Sequence, residues 1–115
     1  MLAKSSRLAK AKDFEKIFKR GKSFYTKIFS IKALANESGI NRYGIVISTK
    51  VSKKAVIRNK LKRRFQAALK EYDSQLKSGH DLVIIASPAA INLKYKVIKS
   101  ELEKSLLTLK LFKSN

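Results

Sequence analysis

The feature that most constrains this chain is a strand–helix–strand passage at its centre. Residues 43–49 carry a nearly continuous apolar run at Ile45, Val46 and Ile47, which predicts a strand buried on more than one side. Residues 51–55 then lead into a long helix on which Leu61, Phe65, Ala68, Leu69, Tyr72 and Leu76 recur at helical spacing. Ser52 is a candidate N-cap, and Gly79 can end the element. Residues 81–86 form another apolar strand, stopped by Ser87 and Pro88. Two strands joined through a helix imply parallel neighbours, and pattern alone favours the usual right-handed crossover.

Other elements gather around this unit. Residues 1–12 are basic and weakly patterned, an irregular arm. Residues 13–20 predict a short helix with Phe14, Ile17 and Phe18 on one face. Asp13 suits the positive end of its dipole, Lys19 and Arg20 suit the negative end, and Gly21 is placed for a left-handed cap. Residues 24–34 alternate, with Tyr25, Phe29, Ile31 and Ala33 on one face and Thr26, Ser30 and Lys32 on the other. Turn residues follow at 36–41, so this strand and the next read as an antiparallel hairpin with a long loop. A further short strand is expected around residues 23–26. Asn92 is a candidate cap for a last helix whose core face is Tyr95, Ile98, Leu102, Leu106 and Leu109, and residues 107–112 are expected to fray. The order is helix, two strands, helix, strand, helix, which closes most simply as one sheet with helices packed on it. At 115 residues this is one domain, residues 1–115.

Charge limits the function. Lys plus Arg number 27 against 8 acidic residues, a net +19, so the folded chain repels itself unless a polyanion neutralises it. Nucleic acid is the first candidate and an anionic membrane surface the second. The absence of Cys excludes disulfides, thiolate zinc sites and Cys nucleophiles. Lys4, Arg7, Lys10, Lys12 and Lys16 interrupt the N-terminal region, leaving no signal-peptide core, and no apolar run reaches the roughly 20 residues that span a bilayer. The expectation is a cytoplasmic protein without a membrane partner.

The densest cationic stretch is KKAVIRNKLKRRF, residues 53–65. Its apolar positions anchor one helix face, while Arg58, Lys60, Lys62, Arg63 and Arg64 crowd the others with no acidic partner nearby. Such repulsion is tolerable when phosphates fill the gaps. Arg58 can fork onto phosphate oxygens or a guanine edge, Lys62 can act as a point charge, and Asn59 can read a 2′-hydroxyl or a base edge.

These residues bring a family into view. The run Ala55-Val56-Ile57-Arg58-Asn59-Lys60-Leu61-Lys62-Arg63 resembles the signature of the bacterial ribonuclease P protein family, whose core is Arg-Asn-Arg; Lys60 stands here for the second Arg and keeps charge without the planar fork. Residues 13–21, 43–48 (YGIVIS) and 79–86 (GHDLVIIA) resemble its first helix with closing glycine and two of its strands, so the likeness runs over roughly residues 7–110 in order. It implies an α/β (α+β) two-layer sandwich like a domain of a small-subunit ribosomal protein, with order α-β-β-(β)-α-β-α. It also implies a left-handed βαβ crossover, and this displaces the pattern-based choice.

The resemblance implies function as well: a protein subunit that, with a catalytic RNA, removes the 5′ leader of precursor tRNA. Catalytic-RNA binding then falls on Lys53, Lys54, Arg58, Asn59, Lys60, Lys62, Arg63 and Arg64. The leader falls in a cleft between the first helix and the sheet, with Phe14 and Phe18 at its aromatic positions and Arg7, Lys12, Lys16, Lys27 and Lys32 as its cations. Lys32 stands where some members carry Tyr. On spacing alone the two Phe favour a core face; the resemblance sets the cleft beside that reading, with Ile17 serving the core and the two Phe freed to line it. The implied partners are ribonuclease P RNA and precursor tRNA, with no obligate protein partner.

No protein-borne catalytic centre is legible. His80 is the only histidine and reads as a turn residue. Asp13, Asp73 and Asp81 are scattered, and Glu15, Glu37, Glu71, Glu101 and Glu103 form no paired-carboxylate motif. No phosphate-binding glycine loop is present. No catalytic or metal-ligating residue and no protein-bound cofactor is therefore expected; the resemblance assigns Mg²⁺ to the RNA subunit. Rival readings are a ribosomal or other structural RNA-binding protein, a DNA-binding regulator, a self-sufficient ribonuclease and a membrane-surface binder.

Overall fold

The computed structural model describes residues 7, 8 and 10–113. Its elements are α1 (Ala11–Arg20), β1 (Lys22–Tyr25), β2 (Phe29–Ala35), β3 (Arg42–Val46), α2 (Ala55–Asp73), β4 (His80–Ala86), a 3₁₀ turn (Pro88–Ala90) and α3 (Tyr95–Thr108). The sheet order is β1-β2-β4-β3. β4, the most apolar strand, takes a central place, antiparallel to β2 and parallel to β3. The parallel strands are joined through α2, as the central pattern predicts.

The expected hairpin between β2 and β3 is not formed. β4 lies between them, so the 36–41 connection steps over one strand. Asn36 holds that step: its N–H donates to Gly79 O (2.7 Å), and its Nδ2 donates to Ile40 O (3.0 Å) and to Asp81 Oδ1 (2.8 Å). Polar side chains hold the loop where a hairpin would have used a backbone ladder.

The alternating run at 24–34 is two strands. Thr26 reverses the chain: its N–H and Oγ1 both donate to Phe29 O, and its Oγ1 accepts from the N–H groups of Ile28 and Phe29. β1 is thus the short strand expected near residues 23–26. The reversal also moves Tyr25 to the face of Ser30, its register partner, and away from Phe29.

Alternation along β2, β3 and β4 sends Phe29, Ile31, Ala33, Tyr43, Leu82 and Ile84 into the main core, with Leu61, Phe65, Leu69, Ile98, Leu102 and Leu106 of α2 and α3. Phe29 and Phe65 meet edge to face at 5.7 Å, a geometry worth about 1 kcal/mol beyond its buried area. Tyr43 is buried, and its hydroxyl bonds the Asp73 carboxylate at the end of α2; burial first, then that carboxylate, raises its pKa.

The opposite face has a smaller core of Leu8, Ile17 and Val83, with Phe14, Leu34 and Ile85 packed against it. Leu8 N–H donates to Tyr43 O (2.8 Å), so the arm bridges to the outer edge of β3, and the irregular stretch ends at Ala11 rather than after Lys12.

Several expected end signals act otherwise. Gly21 has φ −69°, not a left-handed value. A Cβ there would lie 2.5 Å from Ile17 O and 3.1 Å from Ala33 O, so glycine serves the close approach of helix and strand. Lys54 and Lys94 occupy the N-caps of α2 and α3, in place of Ser52 and Asn92. Ser52 Oγ accepts from Lys54 N–H (3.2 Å), a local turn one step before the helix. α2 ends at Asp73, ahead of Gly79, and His80 opens β4.

Candidate nucleic-acid interface

α2 presents its cations as one would expect of a helix held by its apolar stripe. Leu61, Phe65, Ala68, Leu69 and Tyr72 are buried, while Lys53, Lys54, Asn59, Lys60, Lys62 and Arg63 are exposed. Arg58 and Arg64 differ. Arg58 Nη1 donates to Ser52 O (2.9 Å) and Arg64 Nη1 to Leu93 O (3.0 Å), so both guanidinium groups also tie down neighbouring loops. Each retains further N–H donors for an anion. The helix splits its cations between two sides. Lys60 and Arg64 border a recess with Ile91 and Asn92, whereas Lys62 and Gln66 border another with Arg7, Phe14 and Gly44.

That second recess links α2 to the other face of the sheet. There α1 buries only Ile17, while Phe14 is half-buried and Phe18 is 45% exposed. Ile17 therefore does serve the core. The Phe14 ring lies on the backbone of β3: a Cβ on Gly44 would come within 2.9 Å of it. At the other end Lys32 Nζ lies 5.9 Å from the Phe18 ring centre and donates to Ser23 Oγ (2.9 Å), which fixes the amine beside the ring.

Beyond α1 the register aligns Tyr25, Ser30, Ile85 and Val46 across all four strands. Tyr25 is 69% and Val46 37% exposed. The result is an open groove with Phe14, Phe18 and Lys32 along one side and Tyr25 at the far strand. Lys27 stands exposed at the turn between β1 and β2. Lys16 is elsewhere: it borders a recess with Asp13 and Arg42 on the other flank of α1. Lys12, about 200° around the helix from Phe14, is exposed away from the aromatic pair. Tyr25 was missed from sequence because the chain reversal at Thr26 inverts its face.

What holds α1 over the sheet is an ion cluster that the scattered carboxylates conceal in sequence. Arg42 forks onto Asp81, Nε to Oδ1 and Nη2 to Oδ2, both 2.8 Å, and its Nη1 reaches Asp13 Oδ2 at 3.3 Å. Asp81 is buried and also accepts from Asn36. The Asp81 hydrogen bond is the largest cause holding the Arg42 pKa above its ordinary value. Among the described residues, no three His, Cys, Asp or Glu side chains gather as a metal-binding group, and no helix is long and apolar enough to cross a membrane.

A basic helix beside a basic, partly aromatic groove is the arrangement that the resemblance implies, and comparison with known proteins shows the family. The family model for ribonuclease P matches residues 2–110. The chain belongs to the ribonuclease P protein family. It is 37% identical over 103 residues to the ribonuclease P protein component of a Synechocystis strain, covering 89% of this chain and 83% of that one. It is also 37% identical over 100 residues to that of a Clostridium botulinum strain, covering 86% and 89%. Among solved structures, the Staphylococcus aureus RNase P protein superposes with a TM-score of 0.83 at 32% identity, covering 96% of this chain and all of that one. The Thermotoga maritima RNase P protein gives 0.74 at 30% identity, covering 90% and 93%. The family's mixed fold, a four-stranded sheet with three helices, is the fold found here.

Proposed function

We propose that this chain, as the protein component of ribonuclease P, docks the catalytic RNA on α2 and holds the single-stranded 5′ leader of precursor tRNA in the groove beside α1. The observation that carries the reading is the Tyr25–Ser30–Ile85–Val46 row, exposed at Tyr25 and Val46 and flanked by Phe18 and Lys32. Exposed rings next to a fixed amine suit a strand without sequence preference, because every base offers a stacking face and every linkage a phosphate. The exposed cations of α2 suit a rigid RNA surface, where each neutralised phosphate releases a counterion.

The chemistry of cleavage falls to the RNA subunit and its Mg²⁺ on this reading, and the protein contributes binding. Contact with both RNAs at once makes the leader a handle that mature tRNA lacks. The recess shared by Lys62 and Phe14 supports a continuous path between the two surfaces. Leader grip is thereby coupled to the docked RNA.

The test is a reconstitution. The protein is mixed with a bacterial ribonuclease P RNA and a precursor tRNA at low Mg²⁺, where that RNA alone is slow. Restored, accurate 5′ cleavage is expected. RNA binding without any gain in cleavage would refute the reading and favour a ribosomal or other structural RNA-binding role.

A further inference from the structure

We propose that a third basic site, a cleft at the opposite pole of the sheet, binds the phosphodiester backbone of RNA. This deepens the reading above and rests on it. The cleft, about 440 Å³, lies where β2 ends and β4 begins, and its rim carries Arg20, Lys22, Lys77, Lys110 and His80. The α2 cations and the Tyr25 row lie by the ends of β3 and β4, at the other pole. Lys22 shares its register row with Ala33 and Leu82, so it points to the face of α2 and α3, away from the leader groove.

Two observations set this cleft apart from an ordinary solvated surface. No carboxylate lines it, and none of its four Lys and Arg side chains forms an ion pair among the described residues. Convergent cations without a counter-charge repel one another, and a bound polyanion relieves that repulsion.

The second observation is Lys110. It is the only non-glycine residue with positive φ (58°) among the described residues. It stands just past the C-cap of α3, where Lys110 N–H donates to Leu107 O and Leu111 N–H to Leu106 O, both 3.0 Å. That is a Schellman turn, and its left-handed position is normally glycine. A lysine there is strained, and this strained residue is among those that line the cleft. His80 adds a buried Nδ1 with no hydrogen-bond partner.

The remaining lining is aliphatic, from Ala33, Leu34, Ala35, Leu109 and Leu111. With no Phe, Tyr or Trp to stack a base, the cleft suits backbone phosphates rather than bases or a nucleotide.

The test compares the full-length protein with a Lys22→Ala/Lys77→Ala/Lys110→Gly variant, using a bacterial ribonuclease P RNA as probe. The slope of log Kd against log salt is expected to fall by about 2, from roughly 0.7–0.9 per lost phosphate contact. Lys110→Gly alone should raise Tm by about 4 °C by releasing the left-handed strain, while lowering the slope by about 1. A binding loss is then not a folding loss. An unchanged slope in the triple variant, with cleavage assistance intact, overturns the cleft alone and makes these cations mere complements of the α1 and α3 dipoles. If inorganic pyrophosphate shifts the amide resonances of Lys77, Lys110 and Leu111 as strongly as a short oligouridylate at equal phosphate, the cleft takes a free anion and the RNA assignment is overturned. A wild-type protein that binds the RNA with the steep slope yet fails to assist cleavage counts against the proposed function and leaves the cleft standing.

Discussion

α2 buries five side chains along 19 residues, whereas α1 buries one along ten. Both helices carry cations and both lie against the same sheet, yet they are fixed by different forces. Packing alone can hold α2, so its outward face is free to be crowded with charge. α1 lacks such a stripe. Ile17, the Phe14 ring on Gly44 and the Arg42 fork hold it, and its remaining aromatic surface stays open. A surface for a rigid RNA can stand on a core helix. A groove for a flexible strand needs rings that the core has not consumed.

The largest expected effect erases this contrast. Phe65→Ala removes the ring that meets Phe29 in the main core and should cost about 3–5 kcal/mol in denaturant unfolding, with both surfaces lost together. Arg42→Met separates the two helices. It leaves the buried Asp81 carboxylate short of its main partner and should cost about 2 kcal/mol. Preference for leader-bearing precursor should fall with it, while affinity for ribonuclease P RNA, set by α2, should hold. Equal losses in both affinities would mean that the clamp supports the whole fold and not α1 in particular.

Smaller effects separate the faces without disturbing them. Phe18→Ala, at a half-exposed ring, should leave stability nearly unchanged and weaken leader binding by about 1 kcal/mol, measured by titrating leader-bearing precursor. Lys62→Ala with Arg63→Ala should alter stability by less than about 0.5 kcal/mol, because both side chains are exposed. Its signature is electrostatic: the salt slope for ribonuclease P RNA should fall by about 1.5, and a slope that does not move would take these cations out of the interface.

Much of this architecture was legible from periodicity. The α2 stripe from Leu61 to Tyr72 and the buried run of β4 predicted the parallel unit on which everything else is placed. What pattern could not supply was non-local. Strand order depends on β4 entering between β2 and β3, and nothing in the 36–41 segment announces that its polar side chains replace a hairpin ladder. Cap preferences misled at Ser52, whose hydroxyl closes a local turn with Lys54 N–H one step early, and at Asn92, where the helix starts two residues later.

The site shows the same division. Cation density along residues 53–64 is a local signal, so the exposed face of α2 could be read directly. The groove is assembled from four strands and α1. Tyr25 changed faces with one unforeseen turn, and Lys16 was assigned to the groove although helix geometry turns it to the opposite flank, toward Asp13 and Arg42. The Arg42 clamp draws on residues 13, 42 and 81, too far apart for any spacing rule to join.

The most direct measurement is the affinity of the reconstituted holoenzyme for precursor tRNA with and without its 5′ leader. It should be made at fixed salt for the wild type, for Phe18→Ala/Tyr25→Ala and for Lys62→Ala/Arg63→Ala. The advantage of the leader is expected to collapse in the aromatic variant and to survive in the cationic one once the RNA subunit is saturated. An advantage that persists in the aromatic variant, or that falls equally in both, would contradict the assignment of the two RNAs to two faces.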